Sequence, residues 1–141
     1  MSEDIAVPFE ALESAIRMIE ELERVYGLPT CSWGHAGDGN LHGTFMIDAT
    51  SREEVKRAEA AAEALFDGAL RMGGTVSGEH GLGWVKRKQF GRQFSETEVA
   101  IHRSIKLAFD PANLFNPGKK VNLPVRDIST DHTAVAKSVS D

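Results

Sequence analysis

Residues 30–48, TCSWGHAGDGNLHGTFMID, decide the fold. Residues 30–35, TCSWGH, read as a strand, and residues 41–48, LHGTFMID, as another. Between them Ala36-Gly37-Asp38-Gly39-Asn40 is a turn by composition, because Gly, Asp and Asn tolerate positive φ. The segment therefore predicts a β-hairpin. Before it, residues 4–8, DIAVP, predict a short strand ended by Pro8. Phe9, Leu12, Ile16, Ile19 and Leu22 then recur at helical spacing, and Gly27 and Pro29 stop that helix. After the hairpin, Ser51 with Glu54 predicts a capping box. Val55, Ala58, Ala62, Leu65 and Ala69 follow at helical spacing up to Gly73-Gly74. Thr75-Val76-Ser77 reads as a last short strand that runs into Gly78-Glu79-His80-Gly81. Strand, helix, strand, strand, helix, strand is the βαββαβ order of a ferredoxin-like α+β unit.

A further helix is expected from the Ser95/Glu98 capping box to about Phe109, where Asp110-Pro111 breaks it. Residues 112–120, ANLFNPGKK, read as an irregular, turn-rich segment. The organisation expected is one folded portion over residues 3–123 and a polar, disordered tail over residues 124–141.

Bulk properties exclude several classes. The 141 residues carry a formal net charge of −5, against the basic face a nucleic-acid partner requires. One cluster, Lys86, Arg87, Lys88 and Arg92, runs the other way; it reads as a solvated face or as a binding place for carboxylate or phosphate. The single Cys31 allows no internal disulfide, fits a reducing compartment, and is expected to be a small buried thiol. No apolar run approaches the roughly 20 residues of a membrane span, and the acidic N-terminus has no signal-peptide core. The expectation is a soluble, cytoplasmic protein.

Two segments carry chemistry: residues 34–42, GHAGDGNLH, and residues 77–83, SGEHGLG. His35 and His42 stand on opposite arms of the hairpin, which can bring two imidazoles to one point. Glu79 follows a strand of the same sheet. Two imidazoles and a carboxylate suit a divalent metal with open positions. Against this, a single His is more often a structural residue than a ligand. Asp38, between two glycines, fits a turn residue bonding its own backbone better than a ligand. His80 adjoins Glu79, and neighbours on extended backbone point to opposite faces. That leaves His80 open to a general-base role, or to a simple turn role. The glycines match neither a phosphate-binding P-loop nor the dinucleotide fingerprint.

In order, GHAGDGNLH, then SGEHGLG with Lys86 downstream, then DPANLFNPGKK, resemble the C-terminal region of the FAD-linked oxidases. That group includes glycolate oxidase, D-lactate dehydrogenase and D-2-hydroxyglutarate dehydrogenase. The opening DIAVP with its amphipathic helix is similar too, so the resemblance spans residues 3 to 123. It implies that His35, His42 and Glu79 bind a divalent metal, often zinc, and that His80 is the catalytic residue near the substrate carbinol and flavin. It implies substrate contacts at Thr44 and Lys86, and a flavin neighbour at Asn116. Thr44 stands where the 2-hydroxyglutarate branch has Asn, which points toward the glycolate oxidase branch.

The activity implied is oxidation of a D-2-hydroxy acid such as glycolate or D-lactate to the 2-oxo acid. The metal and FAD are the cofactors. Family chains are several times longer, with an N-terminal FAD-binding domain. The chain is therefore expected to be a fragment, unable to bind FAD or turn over alone. The partners implied are a small 2-hydroxy acid and an electron acceptor or the other subunits of a glycolate oxidase-like complex. An apolar patch left bare on the fragment is expected to favour a homodimer. Two rival classes stay open: a metal-dependent hydrolase, which would want a further carboxylate-rich motif, and a non-catalytic ferredoxin-like binding module with structural His residues.

Overall fold

A computed structural model describes residues 1–121. Strand β1 (Ser2–Ala6) leads through a 3-10 turn at Phe9–Ala11 into helix α1 (Leu12–Tyr26). Strands β2 (Thr30–His35) and β3 (Asn40–Phe45) form the hairpin, joined by a 3-10 turn at Ala36–Asp38. Helices α2 (Arg52–Arg71), α3 (Arg87–Gln93) and α4 (Glu96–Phe109) follow. The expected tail, residues 124–141, lies outside the described residues.

The three strands form an antiparallel sheet in the order β1-β3-β2. Ala6 makes one further antiparallel bridge to Thr75 on the outer side of β1. The sequence Thr75-Val76-Ser77 thus occupies the place of the fourth strand of a ferredoxin-like sheet, but with a single bridge. The ladder stops there because the next donors go elsewhere. The N–H of Val76 donates to Gln93 Oε1 at 2.9 Å, and those of Gly78, Glu79 and His80 donate to the Asp4 carboxylate.

Helices α1 and α2 cover one face of the sheet. Ile5, Leu41 and Phe45 point into it and meet Ile19, Leu22, Leu28, Leu65 and Phe66, all buried. Burying each such side chain is worth about 1.5–3 kcal/mol, which is what holds the helices on the sheet. The stripe of α1 is turned from the one expected. Ala15 is buried where Ile16 and Phe9 were expected, and both of those are exposed. Phe9 falls in the 3-10 turn before the helix, where helical spacing does not apply. Helix α2 keeps its expected face, with Ala58, Ala62, Leu65 and Ala69 buried.

The caps decide where the long helices begin. Ser95 Oγ accepts from the N–H of Glu98, and Glu98 Oε2 accepts from the N–H of Ser95, a complete capping box. At α2 only half of the expected box forms. Ser51 Oγ accepts from the N–H of Glu54, while Glu54 Oε2 accepts from the N–H of Asp48 instead. Two further expectations are corrected. Cys31 is exposed, since β2 is an edge strand with little packed on it. Lys86 is buried rather than part of a solvated basic face, and Arg87–Gln93 form a helix where only a charge cluster was foreseen.

Candidate active site

The second face of the sheet is the one turned away from α1 and α2, and strand register places the chemistry there. Asp4 on β1 pairs with His42 on β3, and His42 pairs with Trp33 on β2. Side chains of directly paired residues share a face, so these three form one row across the sheet. Ser2, Thr44 and Cys31 form the row to one side; Ala6, Asn40 and His35 form the row to the other. The hairpin turn is tight because Gly39 takes φ +71°, and a Cβ there would lie 2.1 Å from Val7 O.

The loop after Val76 folds over the Asp4 end of the row and delivers Glu79. Its Oε1 lies 2.9 Å from His42 Nε2, and its Oε2 lies 3.7 Å from His35 Nε2. One carboxylate thus stands between two imidazoles, with a different oxygen toward each. His42 is buried, flanked by the Trp33 ring at 5.8 Å and the His80 ring at 5.1 Å between centroids. His80 Nε2 lies 3.9 Å from Glu79 Oε1. The tightest donor group is His42, Glu79 and His80, whose ligating atoms lie within 4.8 Å of one another. His35, with 65% of its side chain exposed, stands at the rim. Nitrogen and oxygen donors gathered around one carboxylate suit zinc or a similar divalent cation, so the residues fit such a group.

Sequence reasoning missed the residue that organises this loop. Asp4 is fully buried. Its Oδ2 accepts from the N–H groups of Gly78 (2.7 Å), Glu79 (2.7 Å) and His80 (3.0 Å), and from Ser77 Oγ (3.0 Å). Its Oδ1 accepts from Lys86 Nζ. Burial pushes the Asp4 carboxyl up, but Lys86 and the backbone donors outweigh it and hold it well below the usual carboxylate range. Gly78 must approach closely for this to happen: a Cβ there would lie 2.2 Å from Asn40 Oδ1 and 3.1 Å from Ile5 O.

Lys86 has no donor turned outward. Its Nζ donates to Asp4 O at 2.8 Å, to Val76 O at 2.9 Å and to Asp4 Oδ1, and it sits 3.6 Å from Glu3 Oε2. Thr44 shares the face of His42, about 7 Å along the strand, and donates its hydroxyl to Ser2 Oγ at 2.8 Å. Asn116 stands apart from the His/Glu group. With φ at 48°, it borders a separate cavity of about 260 Å³ with His102, Ile105, Phe115 and Lys119.

Residues 1–120 match the family described as FAD linked oxidases, C-terminal domain. The chain belongs to that family. It is 37% identical over 117 residues to glycolate oxidase subunit GlcD of Bacillus subtilis, covering 83% of this chain and 25% of that protein. It is 39% identical over 124 residues to the mitochondrial D-lactate dehydrogenase (cytochrome) of Kluyveromyces lactis, covering 88% and 21%. With a D-lactate dehydrogenase of Archaeoglobus fulgidus it shares 36% identity over 118 residues. The chain thus spans about a quarter of the length of the curated relatives it matches. By their names, these relatives act on glycolate or on D-lactate. No helix among the described residues is long and apolar enough to cross a membrane.

Proposed function

We propose that this chain is the metal-bearing, catalytic portion of an FAD-dependent dehydrogenase that oxidises glycolate or D-lactate to the 2-oxo acid. The observation that carries the reading is the carboxylate of Glu79 set between His42 and His35 on the open face of the sheet. His35, His42 and Glu79 would hold a divalent metal, with zinc the natural choice for two imidazoles and a carboxylate. When bound, the cation supplies positive charge beside the substrate hydroxyl and carboxylate, and FAD supplies the electron acceptor.

The chain's own residues supply position and proton transfer. His80 takes the hydroxyl proton at Nε2, the nitrogen turned toward Glu79. Trp33 and Thr44 border the place the substrate would take, Trp33 through an apolar ring and Thr44 through a hydroxyl. Lys86 acts on substrate indirectly, by holding Asp4. Asn116 and its cavity are read as the side nearest the flavin, which would be bound mainly by chain outside residues 3–123. The bare apolar side of α4, with Ile101, Ile105 and Phe109 exposed, is the surface the rest of such an enzyme would cover. In isolation the same surface would favour a homodimer. An intracellular, cytoplasmic enzyme working with an electron acceptor or with partner subunits fits this reading.

The test is rapid-reaction measurement of flavin bleaching by glycolate and D-lactate in the flavin-containing enzyme that carries this segment. His80→Ala should slow flavin reduction by on the order of 10²–10⁴, the loss of a positioned general base, with metal still bound. Reduction at the wild-type rate would make His80 a turn residue only. Zinc titration of the 141-residue chain tests the metal separately. No binding by the wild type would favour the non-catalytic module.

A further inference from the structure

We propose that Asp4 is a positioning residue that presents His80 in a single tautomer, with its proton on Nδ1 toward Asp4 and its Nε2 lone pair turned toward Glu79 and His42. The inference rests on the reading of His80 as the base, but it is tested on a different observable.

The two oxygens of Asp4 have separate tasks. Oδ2 takes three consecutive backbone N–H groups, those of Gly78, Glu79 and His80. The main chain is thereby curled around one atom, and the directions in which Glu79 and His80 leave it are set together. Oδ1 takes Lys86 Nζ and lies 3.3 Å from His80 Nδ1. The other ring nitrogen, Nε2, lies 3.9 Å from Glu79 Oε1. Both ring nitrogens face a carboxylate, which when ionised can only accept; Asp4 Oδ1 at 3.3 Å is nearer than Glu79 Oε1 at 3.9 Å, so Nδ1 is the nitrogen that carries hydrogen in the neutral imidazole. Nε2 is then bare and faces the site. A free imidazole side chain in water prefers hydrogen on Nε2, so the environment reverses the default. A carboxylate that fixes the tautomer of a catalytic His changes rate without touching substrate.

The same geometry says what substitution does. In Asp4→Asn, the carbonyl oxygen must take the Oδ2 place, because three N–H groups point there. The amide NH₂ then falls at the Oδ1 place, facing His80 Nδ1 with a donor. His80 Nδ1 becomes an acceptor and the proton moves to Nε2. The amide would also meet the Lys86 ammonium, so the informative variant is Asp4→Asn/Lys86→Met, which removes both charges at once.

The experiment is long-range ¹H–¹⁵N correlation on the metal-free 141-residue chain with labelled histidine, at a pH well above imidazole titration. In the wild type, His80 should show a protonated Nδ1 and a bare Nε2; in the double variant the two should exchange. A wild-type His80 carrying its proton on Nε2, or an even mixture, overturns the inference. A folded double variant that keeps the wild-type tautomer overturns it too. If the double variant does not fold, the wild-type spectrum alone decides. In the flavin-containing enzyme the double variant should lower kcat by on the order of 10²–10⁴ with KM changed far less. Zinc affinity of the chain, measured with the metal alone, should stay within about 10-fold, because the loop donors keep an acceptor. Failure of the wild type to bind zinc would sink the functional reading, while the tautomer would still decide the role of Asp4.

Discussion

Lys86 Nζ is bonded to both the carboxylate and the main-chain carbonyl of Asp4, with both side chains buried. The two residues are 82 positions apart, so this pair ties the loop that bears Glu79 and His80 to the first strand. Val76 O takes the third hydrogen of the ammonium, which leaves Lys86 fully satisfied.

Removing one partner alone should therefore be severe. Lys86→Met is expected to cost about 3–5 kcal/mol, because it leaves the Asp4 carboxylate buried without its counter-ion. Urea unfolding of the 141-residue chain measures this. A cost below about 1 kcal/mol would mean that the backbone donors alone hold Asp4.

Asp4 should also leave its mark on acid stability. Its carboxyl is held below the ordinary range in the folded chain. A group with a depressed folded value stabilises fully above its unfolded value and loses that contribution as pH falls toward the folded one. Stability should thus decline as pH drops below about 4, the unfolded value of an Asp. In Asp4→Asn/Lys86→Met that part of the slope should disappear. Urea midpoints at several acidic pH values compare the two; parallel curves would refute the assignment.

Gly78 is the tightest point of the loop. In Gly78→Ala the new methyl would meet Asn40 Oδ1 at 2.2 Å and Ile5 O at 3.1 Å, and the Ile5 atom belongs to the strand backbone. Overpacking of this kind costs about 1–3 kcal/mol. The loop should lift from Asp4, so zinc binding should weaken with stability. Thermal unfolding and zinc titration of the same variant are the measurements; undiminished zinc affinity would show that the loop tolerates the shift.

The two hairpin histidines should not be equivalent. His42 is buried against Trp33 and His80 and 2.9 Å from Glu79, whereas His35 is exposed and 3.7 Å away. His42→Ala should abolish zinc binding measurably in the isolated chain. His35→Ala should lower it by less, because its imidazole stands at the exposed rim and farther from Glu79. Isothermal titration with zinc gives both. Equal losses would place His35 as deep in the site as His42.

Much of the fold was legible in the sequence because it is written locally. The hairpin follows from the residues of its turn, α2 from apolar spacing, and α4 from the Ser95/Glu98 capping box, which the structure shows complete. His35, His42, Glu79 and His80 could be singled out because they sit in two glycine-dense segments. Helix α3 was not legible: it is seven residues long, has no side-chain cap and shows no apolar repeat. Asp4 was not legible either, since one acidic residue in a short strand carries no signal of its own. Its partners lie 73 to 82 positions away and only the fold brings them to it. The burial of Lys86 follows from the same closure. Residue types and local spacing determined the elements and the chemistry available, because turns, caps and helical stripes act over a few residues. The tertiary structure alone decided that Asp4, His42 and Trp33 share one row on the face turned away from α1 and α2. Strand register sets that row, and a slip of one residue would turn every side chain of the strand to the opposite face.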